Sequence, residues 1–314
     1  MNDSFRTARY KLYFAPMEGI TTKTFRHVFR SHFNSADRYF TPFLVANHTQ
    51  HFKQRERREL EPFEDLLIPQ ILSSDKDDFI WAARYIYSLG YKEINLNLGC
   101  PYPTVFTKGK GSGMLRDPEA LDRFLDSVFS ERDMPAVSVK TRIGVKEPEE
   151  YEHLVSVFRK YPFSEIIVHP RVREEFYDGE PHTDIFGKML PELHCPVVYN
   201  GDIRSVSDAE RIISAFPSIS ALMIGRGMLA RPSLAREIRG GQCAGFNEIV
   251  EFLKDLADSY SAVLYSERDV LFKMKELMHY LGMNIDGSER GKADVKHSKN
   301  LDEFFESVCR VLSL

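Results

Sequence analysis

Cys100 is the side chain with the greatest chemical potential in this sequence. It directly follows the apolar run INLNLG and begins a segment with three closely spaced glycines, Gly109, Gly111 and Gly113. A cysteine at the start of a long, flexible glycine loop can serve as a nucleophile or as a proton donor. A nucleophile requires a histidine base within reach, and the sequence indicates none convincingly, whereas a general acid requires only a thiol near the substrate. The residues alone leave both roles open.

Two short glycine-containing segments predict a phosphate site. Each follows an apolar run, and the second contributes an arginine suited to bidentate contact with a phosphate. Glycine backbone next to the start of a helix is a common way to bind phosphate, especially after the last two strands of a barrel. The two segments are Asn200-Gly201-Asp202 and Gly225-Arg226-Gly227.

Polar residues also end the other apolar runs, where a purely structural strand would not need them. An unpaired ammonium at Lys140 would be unfavourable inside a sheet, so it either forms a buried ion pair with Glu18 or Asp202 or faces a developing negative charge. His169 and Gln70 could be satisfied inside the core or could contact a ligand. The candidate residues are Pro16, Met17, Glu18, Gln70, Asn95, Asn97, Lys140, Arg142, His169 and Arg171.

Eight apolar runs position these residues, and a helix-like stretch follows each of the first seven. The runs begin at Leu12, Arg38, Leu67, Ile94, Ala136, Ile166, Val197 and Leu222. They show little alternation of polar and apolar residues, which is typical of parallel strands buried on both faces. The pattern predicts an α/β fold of the (β/α)8 TIM-barrel type. An open doubly wound sheet is the alternative, but it would normally carry a glycine-rich fingerprint after its first strand, and FAPMEGI is not one.

Helix boundaries and a C-terminal tail complete the predicted organisation. Ser73 and Ser74, Asp117 with Pro118, Pro148 and Ser205 mark helix starts, and Gly90 marks a helix end. After RGGQCAG the strand rhythm stops, and three amphipathic segments predict three helices: NEIVEFLKDLADSYSAVL, VLFKMKELMHYLG and NLDEFFESVCRVLSL. We expect a barrel domain over 1–240 and an all-α helical-bundle domain over 241–314.

The composition excludes several classes of protein. Hydrophobic residues make up 43% and charged residues 28%, which is typical of a globular protein. The formal net charge of −4 argues against a protein that binds nucleic acid through its overall charge, although a local basic face stays open. The four cysteines are too widely spaced for a zinc or iron–sulfur site, and we expect no metal. No apolar stretch of signal-peptide or membrane-spanning length is found, so we expect a cytoplasmic protein without a membrane segment.

Successive motifs of the chain resemble those of the tRNA-dihydrouridine synthase family, in the family's order. They are FAPMEGIT, INLNLGCPYPTVFTKGKGSGMLRDP, VSVKTRIG, IIVHPR, VVYNGDI and LMIGRGMLARP, followed by FKMKELMHYLG in the tail. The asparagine-x-glycine-cysteine-proline segment followed by a glycine loop is the most specific of them.

This resemblance implies FMN as cofactor, NADPH as reductant and a uridine of tRNA as substrate. It implies hydride transfer from reduced FMN to C6 of uracil, after NADPH has reduced FMN and left, with Cys100 as the general acid that protonates C5. The helical tail would bind tRNA, and we expect a monomer. Carried over by motif, the cofactor-binding residues are Pro16, Met17, Glu18, Gln70, Lys140, His169, Asn200, Gly201, Asp202, Gly225 and Arg226, and the substrate-binding residues are Asn97 and Arg171.

The chain departs from the family pattern near the substrate. Pro170 stands where glycine is usual, and Pro103 and Phe106 occupy positions that are often more polar or basic. Because the net charge is negative, tRNA would have to bind through local basic residues. The candidates are Lys53, Arg55, Arg57 and Arg58, Lys108 and Lys110, and Lys273 and Lys275. The stretch KQRERRE could equally be a solvated helix face.

Two other functions stay open from the sequence. One is a flavin barrel dehydrogenase that acts on a free pyrimidine, as dihydroorotate-type enzymes do. The other is a non-catalytic tRNA-binding protein with the same fold. The helical tail and the cysteine–proline loop argue against the first, and the presence of Cys100, Lys140 and the phosphate segments argues against the second.

Overall fold

Parallel strands form the centre of the computed structural model, which describes residues 10–282 and 289–312. The strands are β1 (Lys11–Phe14), β2 (Arg38–Phe40), β3 (Leu44–Val45), β4 (Leu67–Ile68), β5 (Gln70–Leu72), β6 (Glu93–Leu98), β7 (Ala136–Gly144), β8 (Ile166–Val172), β9 (Val197–Asn200) and β10 (Ala221–Ile224). Every strand pair is parallel, and from β5 to β10 each strand pairs with the next strand along the chain.

These ten strands follow eight paths, as the sequence predicts. β2 and β3 are consecutive pieces of the second path, and β4 and β5 are pieces of the third, which Pro69 interrupts because proline has no N–H for the ladder. β2 pairs with β4 and β3 pairs with β5, while β1 pairs with both β10 and β2. The two ends of the sheet therefore belong to the same pair of paths, and the barrel closes.

Helices cover the outside of the barrel, and their caps explain where they begin. Asp117 and Ser205 accept hydrogen bonds from Ala120 N and Asp208 N, as expected of N-cap residues. Asp75, not Ser73 or Ser74, caps the helix before Lys76. The barrel helices are α1 (Lys23–Phe33), α2 (Gln54–Leu60), α3 (Lys76–Ser88), α4 (Pro103–Phe106), α5 (Pro118–Ser130), α6 (Tyr151–Phe158), α7 (Thr183–Met189), α8 (Val206–Ala215), α9 (Arg226–Ala230) and α10 (Leu234–Ile238).

Two apolar layers stabilise the barrel. A small set of side chains fills the barrel interior, among them Tyr13, Phe40, Ile167 and Met223. A much larger core lies between the strands and the surrounding helices. The interior is packed rather than open, so a ligand can bind only beyond the strand ends.

The C-terminal tail is helical and packs on the barrel. Its helices are α11 (Phe246–Ser261), α12 (Glu267–Leu281), α13 (Glu289–His297) and α14 (Leu301–Leu312). Phe252 of α11 packs against Phe25, Phe29 and Phe33 of α1, with ring centroids 5.2–6.2 Å apart. The sequence predicted three helices; it missed α13 because ERGKADVKH contains few apolar residues. Residues 313–314 of the third predicted segment lie outside the described residues.

The segment after Cys100 is folded, which corrects the expectation of a flexible loop. It contains α4 and a 3-10 helix, Gly111–Arg116. Gly111 has a φ of +57°, and a Cβ on Gly113 would lie 2.6 Å from the Phe106 carbonyl oxygen. These glycines therefore allow close backbone packing rather than mobility.

Candidate active site

A cavity of about 390 Å³ lies at the carboxyl ends of the strands. This is the end at which barrel enzymes bind their substrates. Most of the residues predicted from sequence line it: Pro16, Met17, Glu18, Gln70, Asn97, Cys100, Lys140, His169, Asn200, Gly201, Asp202, Gly225 and Arg226. Arg171 and Asn95 are the exceptions.

Cys100 is held at the cavity wall by backbone hydrogen bonds on both sides. Its N–H donates to Asn97 Oδ1 at 2.9 Å, and its carbonyl accepts from Ser112 Oγ at 2.7 Å. The side chain is 8% exposed, and burial raises the pKa of the thiol. Cys100 is therefore protonated at neutral pH, and no histidine hydrogen-bonds it within the described residues.

Asn97 belongs to a buried amide network that joins β5 and β6. Its Nδ2 donates to Gln70 Oε1 at 2.7 Å, and Gln70 Nε2 donates to Asn95 Oδ1 at 2.8 Å. Asn97 Oδ1 also accepts from Gly99 N, at 3.0 Å. Both acceptor positions of Asn97 Oδ1 thus fix the backbone at Gly99 and Cys100. One Nδ2 hydrogen is left for a ligand.

Lys140 carries the least compensated charge in the cavity. Burial lowers its pKa to about 7, and the nearby Arg142 guanidinium adds to this effect. Within residues 10–282 and 289–312 its ammonium has neither a hydrogen bond nor an ion pair, so the predicted alternative of a buried pair with Glu18 or Asp202 is wrong. The surroundings favour an anionic ligand near Nζ.

Arg142 is a cavity residue whose role the sequence did not specify. Its guanidinium donates to the carbonyls of Gly99 at 3.0 Å, Val172 at 2.8 Å and Phe176 at 2.5 Å. It therefore ties the backbone before Cys100 to the end of β8. Burial lowers the pKa of Arg142 to about 10, so it stays charged near pH 7.

Asp202 gathers three arginines at one side of the cavity. It pairs with Arg171 at 2.8 Å, Arg226 at 2.5 Å and Arg204 at 3.6 Å. Hydrogen bonding by Arg171 and the charges of the arginines hold the pKa of Asp202 below its usual value despite burial. One carboxylate among three guanidinium groups leaves a net positive charge.

Arg171 lies behind the cavity wall, which corrects its predicted contact with the substrate. Its side chain is 0% exposed, and besides Asp202 it donates to the carbonyls of Asp178 and Gly179. It also contacts His169 Nε2 at 3.1 Å. Since arginine only donates, Nε2 must accept, and the neutral imidazole carries its proton on Nδ1. Burial, aided by the surrounding cations, lowers the pKa of His169 well below its ordinary value.

The backbone has no room for a side chain at Gly227 and little room for one at Gly225. A Cβ on Gly227 would lie 2.0 Å from the Ile203 carbonyl oxygen, and a Cβ on Gly225 would lie 3.3 Å from Met17 Sδ. Asn200 Nδ2 donates to the Met223 carbonyl at 2.8 Å and joins β9 to β10 at this point. These contacts bring the two predicted phosphate segments together beside Arg226.

The tail supplies one wall of the cavity, which the sequence did not predict. Glu276, His279 and Tyr280 of α12 line it. Lys273, one turn earlier, donates to the Gly19 carbonyl at 2.8 Å and pairs with Glu276.

The barrel supplies two further unpredicted groups. Tyr177 lies on the cavity wall, where the guanidinium of Arg226 is 4.8 Å from its ring centroid. Arg204 also lines the cavity. Both follow strand ends, but nothing in their local sequence distinguished them from ordinary loop residues.

The basic residues predicted to contact tRNA differ in how free they are. Lys110 donates to the Ala46 carbonyl at 2.9 Å, and Lys275 donates to the Ser298 carbonyl, so both stabilise the fold. Lys108 is exposed, as are Lys53, Arg55, Arg57 and Arg58 on and beside α2. In the same helix, Glu56 is buried and accepts from Lys53 N.

Two further classes of site were sought in residues 10–282 and 289–312. No group of three or more histidine, cysteine, aspartate or glutamate residues there could hold a metal ion. No helix in this part of the chain is long and apolar enough to cross a membrane.

Comparison with known proteins identifies the family. A sequence model described as Dihydrouridine synthase (Dus) matches residues 13–307. The chain belongs to the dihydrouridine synthase family. Curated relatives include tRNA-dihydrouridine synthase B of Shewanella oneidensis, 30% identical over 73% of this chain and 71% of its own length. A probable tRNA-dihydrouridine synthase of Staphylococcus aureus is 27% identical over 90% of this chain and 86% of its own.

Solved structures with the same barrel confirm the fold. Morphinone reductase superposes with a TM-score of 0.54 at 11% identity, covering 74% of this chain and 86% of that enzyme. The covered share is close to the barrel alone. The resemblance read from the motifs and the predicted (β/α)8 barrel of this dihydrouridine synthase family member are both confirmed.

Proposed function

We propose that this protein reduces the C5=C6 bond of specific uridines in tRNA, with FMN as cofactor and NADPH as reductant. The observation that carries the proposal is the protonated Cys100 thiol, held at the wall of a cavity rich in uncompensated cations. Membership of the dihydrouridine synthase family and the names of the relatives support the same reaction.

The cavity fits a flavin mononucleotide. The side with Asp202, Arg204 and Arg226 has net positive charge and closely packed glycine backbone at Gly225 and Gly227, which suits a phosphate. Lys140 and the Nδ1–H of His169 supply donors for a ring system. Pro16, Met17, Glu18, Gln70, Asn200 and Gly201 would complete this site. Bound FMN would supply hydride to C6 of the uracil.

Cys100 would supply the proton that this reduction also needs, at C5. A general acid must be protonated at working pH, and burial keeps the Cys100 thiol in that form. The hydrogen bond that the Cys100 N–H donates to Asn97 and the one that its carbonyl accepts from Ser112 fix the backbone that carries the thiol. A nucleophilic role would require a base to remove the proton, and no histidine in the described residues is hydrogen-bonded to Sγ.

The tail would bind the tRNA and help to define the base that enters. We propose that residues 1–240 form the catalytic domain and residues 241–314 the tRNA-binding domain. Since Glu276, His279 and Tyr280 line the cavity, the tail would contact the nucleotide as well as the surrounding RNA. The uridine must leave its stack to reach the cavity, at a free-energy cost of a few kcal/mol.

The purified protein is expected to be yellow and to form dihydrouridine in unmodified tRNA when NADPH is added. Cys100→Ala should keep the flavin but lose about 10²–10⁴-fold in turnover, because the proton donor is absent. Turnover is measured by dihydrouridine content of the tRNA, and flavin binding by the visible spectrum.

Cys243→Ala is the matched control, because Cys243 is exposed and outside the cavity. Its activity should equal that of the wild type. Full activity in Cys100→Ala would refute the acid role. Reduction of free uracil or orotate without any reduction of tRNA would refute the proposed substrate. Mapping dihydrouridine in tRNA from a strain that lacks the gene then identifies the modified position.

A further inference from the structure

Two arginines stack on one phenylalanine beside the cavity. The guanidinium carbons of Arg173 and Arg116 lie 4.2 Å and 4.6 Å from the ring centroid of Phe106. Arg173 also lies 5.2 Å from the ring of Phe176, and Phe176 packs edge-on against Tyr102 with centroids 6.5 Å apart. These five side chains are named here the arginine–aromatic rim.

The charges of the rim are not compensated by the protein. No carboxylate in the described residues lies within 4.0 Å of the guanidinium nitrogens of Arg116 or Arg173, or of the ammonium of the nearby Lys108. The acidic neighbours in sequence are Asp117, which caps α5, Glu174, which is exposed, and Glu175, which is paired with His182 at 2.7 Å. Arg116 and Lys108 are exposed and Arg173 is half-buried, and cations without acidic partners favour an anionic partner.

Stacking fixes the direction of these cations. Arg173 Nε donates to the Pro101 carbonyl at 3.1 Å, and Arg116 Nε donates to the Gly113 carbonyl at 3.1 Å. Within the described residues the two Nη atoms of Arg173 make no hydrogen bond to protein. A guanidinium held on aromatic faces with free Nη donors is well suited to a phosphate.

Tyr102 is the rim residue whose aromatic ring reaches the cavity. Its side chain is 52% exposed, and it lines the cavity two residues after Cys100. Phe176, which supports it, has a φ of +50°, a conformation that is unfavourable for a bulky residue. Such strain is often found at functional sites.

We propose that the arginine–aromatic rim, with Lys108, binds the RNA strand next to the uridine that enters the cavity. Arg116, Arg173 and Lys108 contact its phosphates, and a base beside the uridine stacks on Tyr102. The inference rests on the proposed function and names the surface that holds the neighbouring nucleotides. An RNA strand carries one base for each phosphate. Its bases could therefore stack on the aromatic rings of the rim while its phosphates contact the neighbouring cations.

The test compares the affinity of unmodified tRNA for rim variants over a range of salt concentrations. Arg173→Gln and Arg116→Gln should each weaken binding several-fold and lower the slope of log K against log salt by about 0.7, as expected for one lost phosphate contact on a single strand. Tyr102→Leu should weaken binding about tenfold with an unchanged slope, because stacking carries no charge. Arg123→Gln, on the outer face of α5, removes an equal charge and should change neither quantity.

Two further measurements separate this role from others. Flavin content and the rate at which NADPH bleaches the bound flavin should be unchanged in Arg173→Gln and Arg116→Gln, because neither arginine lines the cavity. Arg173→Lys should keep the salt slope but not the full affinity, because a lysine lacks the planar fork. Since Arg173 and Arg116 both donate to carbonyls of the segment after Cys100, Tyr102→Leu provides the test that removes no side-chain hydrogen bond to that segment.

The outcomes distinguish the rim from the proposed function. If every rim variant binds and reduces tRNA like the wild type, the proposed role of the rim in RNA binding is refuted and the proposed function still stands. A raised KM for NADPH with unchanged tRNA affinity would assign the rim to the reductant instead. Failure of the wild type to bind or reduce tRNA would overturn both proposals.

Discussion

The two ends of the barrel bury charge in opposite ways. At the amino ends of the strands, Arg38 pairs with Glu93 at 3.0 Å and lies 3.7 Å from Glu165. Tyr13 donates to Glu165 at 2.9 Å from inside the barrel. At the carboxyl ends, Lys140 has no partner in the described residues, and Arg142 contacts only carbonyl oxygens among its hydrogen-bond acceptors.

This difference separates a site that stabilises the fold from a site that binds a ligand. At the amino end, Arg38, Glu93 and Glu165 contact one another, although Glu165 Oε2 has no hydrogen-bond donor within the described residues. The cations at the carboxyl end lack sufficient negative charge around them, and a flavin and a polyanionic substrate would provide that charge. The comparison predicts that removing a cation has opposite effects on stability at the two ends.

Removing the cation at the amino end should have the largest effect. Arg38→Met leaves Glu93 and Glu165 without their cation and should lower the free energy of unfolding by about 3 kcal/mol at pH 7. Urea unfolding measures this change. Arg84→Met breaks an exposed pair with Glu131 and should cost less than about 1 kcal/mol. An equal loss in both variants would show that the amino-end cluster is no more than a surface ion pair.

Removing one hydrogen bond from the same cluster should have a smaller effect. Tyr13→Phe deletes the donor to Glu165 and should lower the free energy of unfolding by about 1.5–2 kcal/mol, because the carboxylate is buried. Tyr265→Phe, at a fully exposed position, should leave stability unchanged. Urea unfolding of the two variants tests the contribution of the hydroxyl, and a neutral Tyr13→Phe would mean that water replaces it.

Removing the cation at the carboxyl end should have the smallest effect and the opposite sign. Lys140 has a pKa lowered to about 7, so below that pH the folded protein holds a charge that burial disfavours. Lys140→Met should therefore raise the stability of the flavin-free protein by about 1 kcal/mol at pH 6. Since the unfolded chain keeps its lysine proton to about pH 10, this gain should decline as the pH rises from 7 to 10.

Thermal unfolding of the flavin-free protein at several pH values measures the Lys140 effect. Lys146→Met, at an exposed position, serves as the control and should show no such dependence. Flavin binding should be weaker in Lys140→Met than in the wild type. A loss of stability at pH 6 would mean that Lys140 has a stabilising partner in solution and would remove the contrast between the two ends.

Much of the fold could be predicted because local patterns fix it. The eight apolar runs became the eight strand paths, and the caps at Asp117 and Ser205 begin helices as expected. Gly90 ends α3 with a φ of +104°, which its sequence position indicated. Helix α13 was missed because its few apolar residues give no periodic signal.

The sequence by itself determined which strand ends meet and therefore most of the cavity. Parallel strands place their carboxyl ends together, so residues at the ends of the runs converge whatever the packing details. The sequence could not decide which of two arginines at the ends of neighbouring strands, Arg142 or Arg171, lines the cavity. The ion pair with Asp202, which is distant in sequence, holds Arg171 behind the cavity wall, whereas Arg142 lies on the cavity side.

Only the tertiary structure decided the surroundings of Cys100 and the position of the tail as one wall of the cavity. Ser112 reaches the Cys100 carbonyl because the glycine segment folds back on itself, and Lys273 reaches Gly19 because α12 packs against α9. Such contacts join residues far apart in sequence and depend on the packing of whole elements. Local patterns encode the elements, but the buried environment that raises the pKa of the Cys100 thiol exists only when they are assembled.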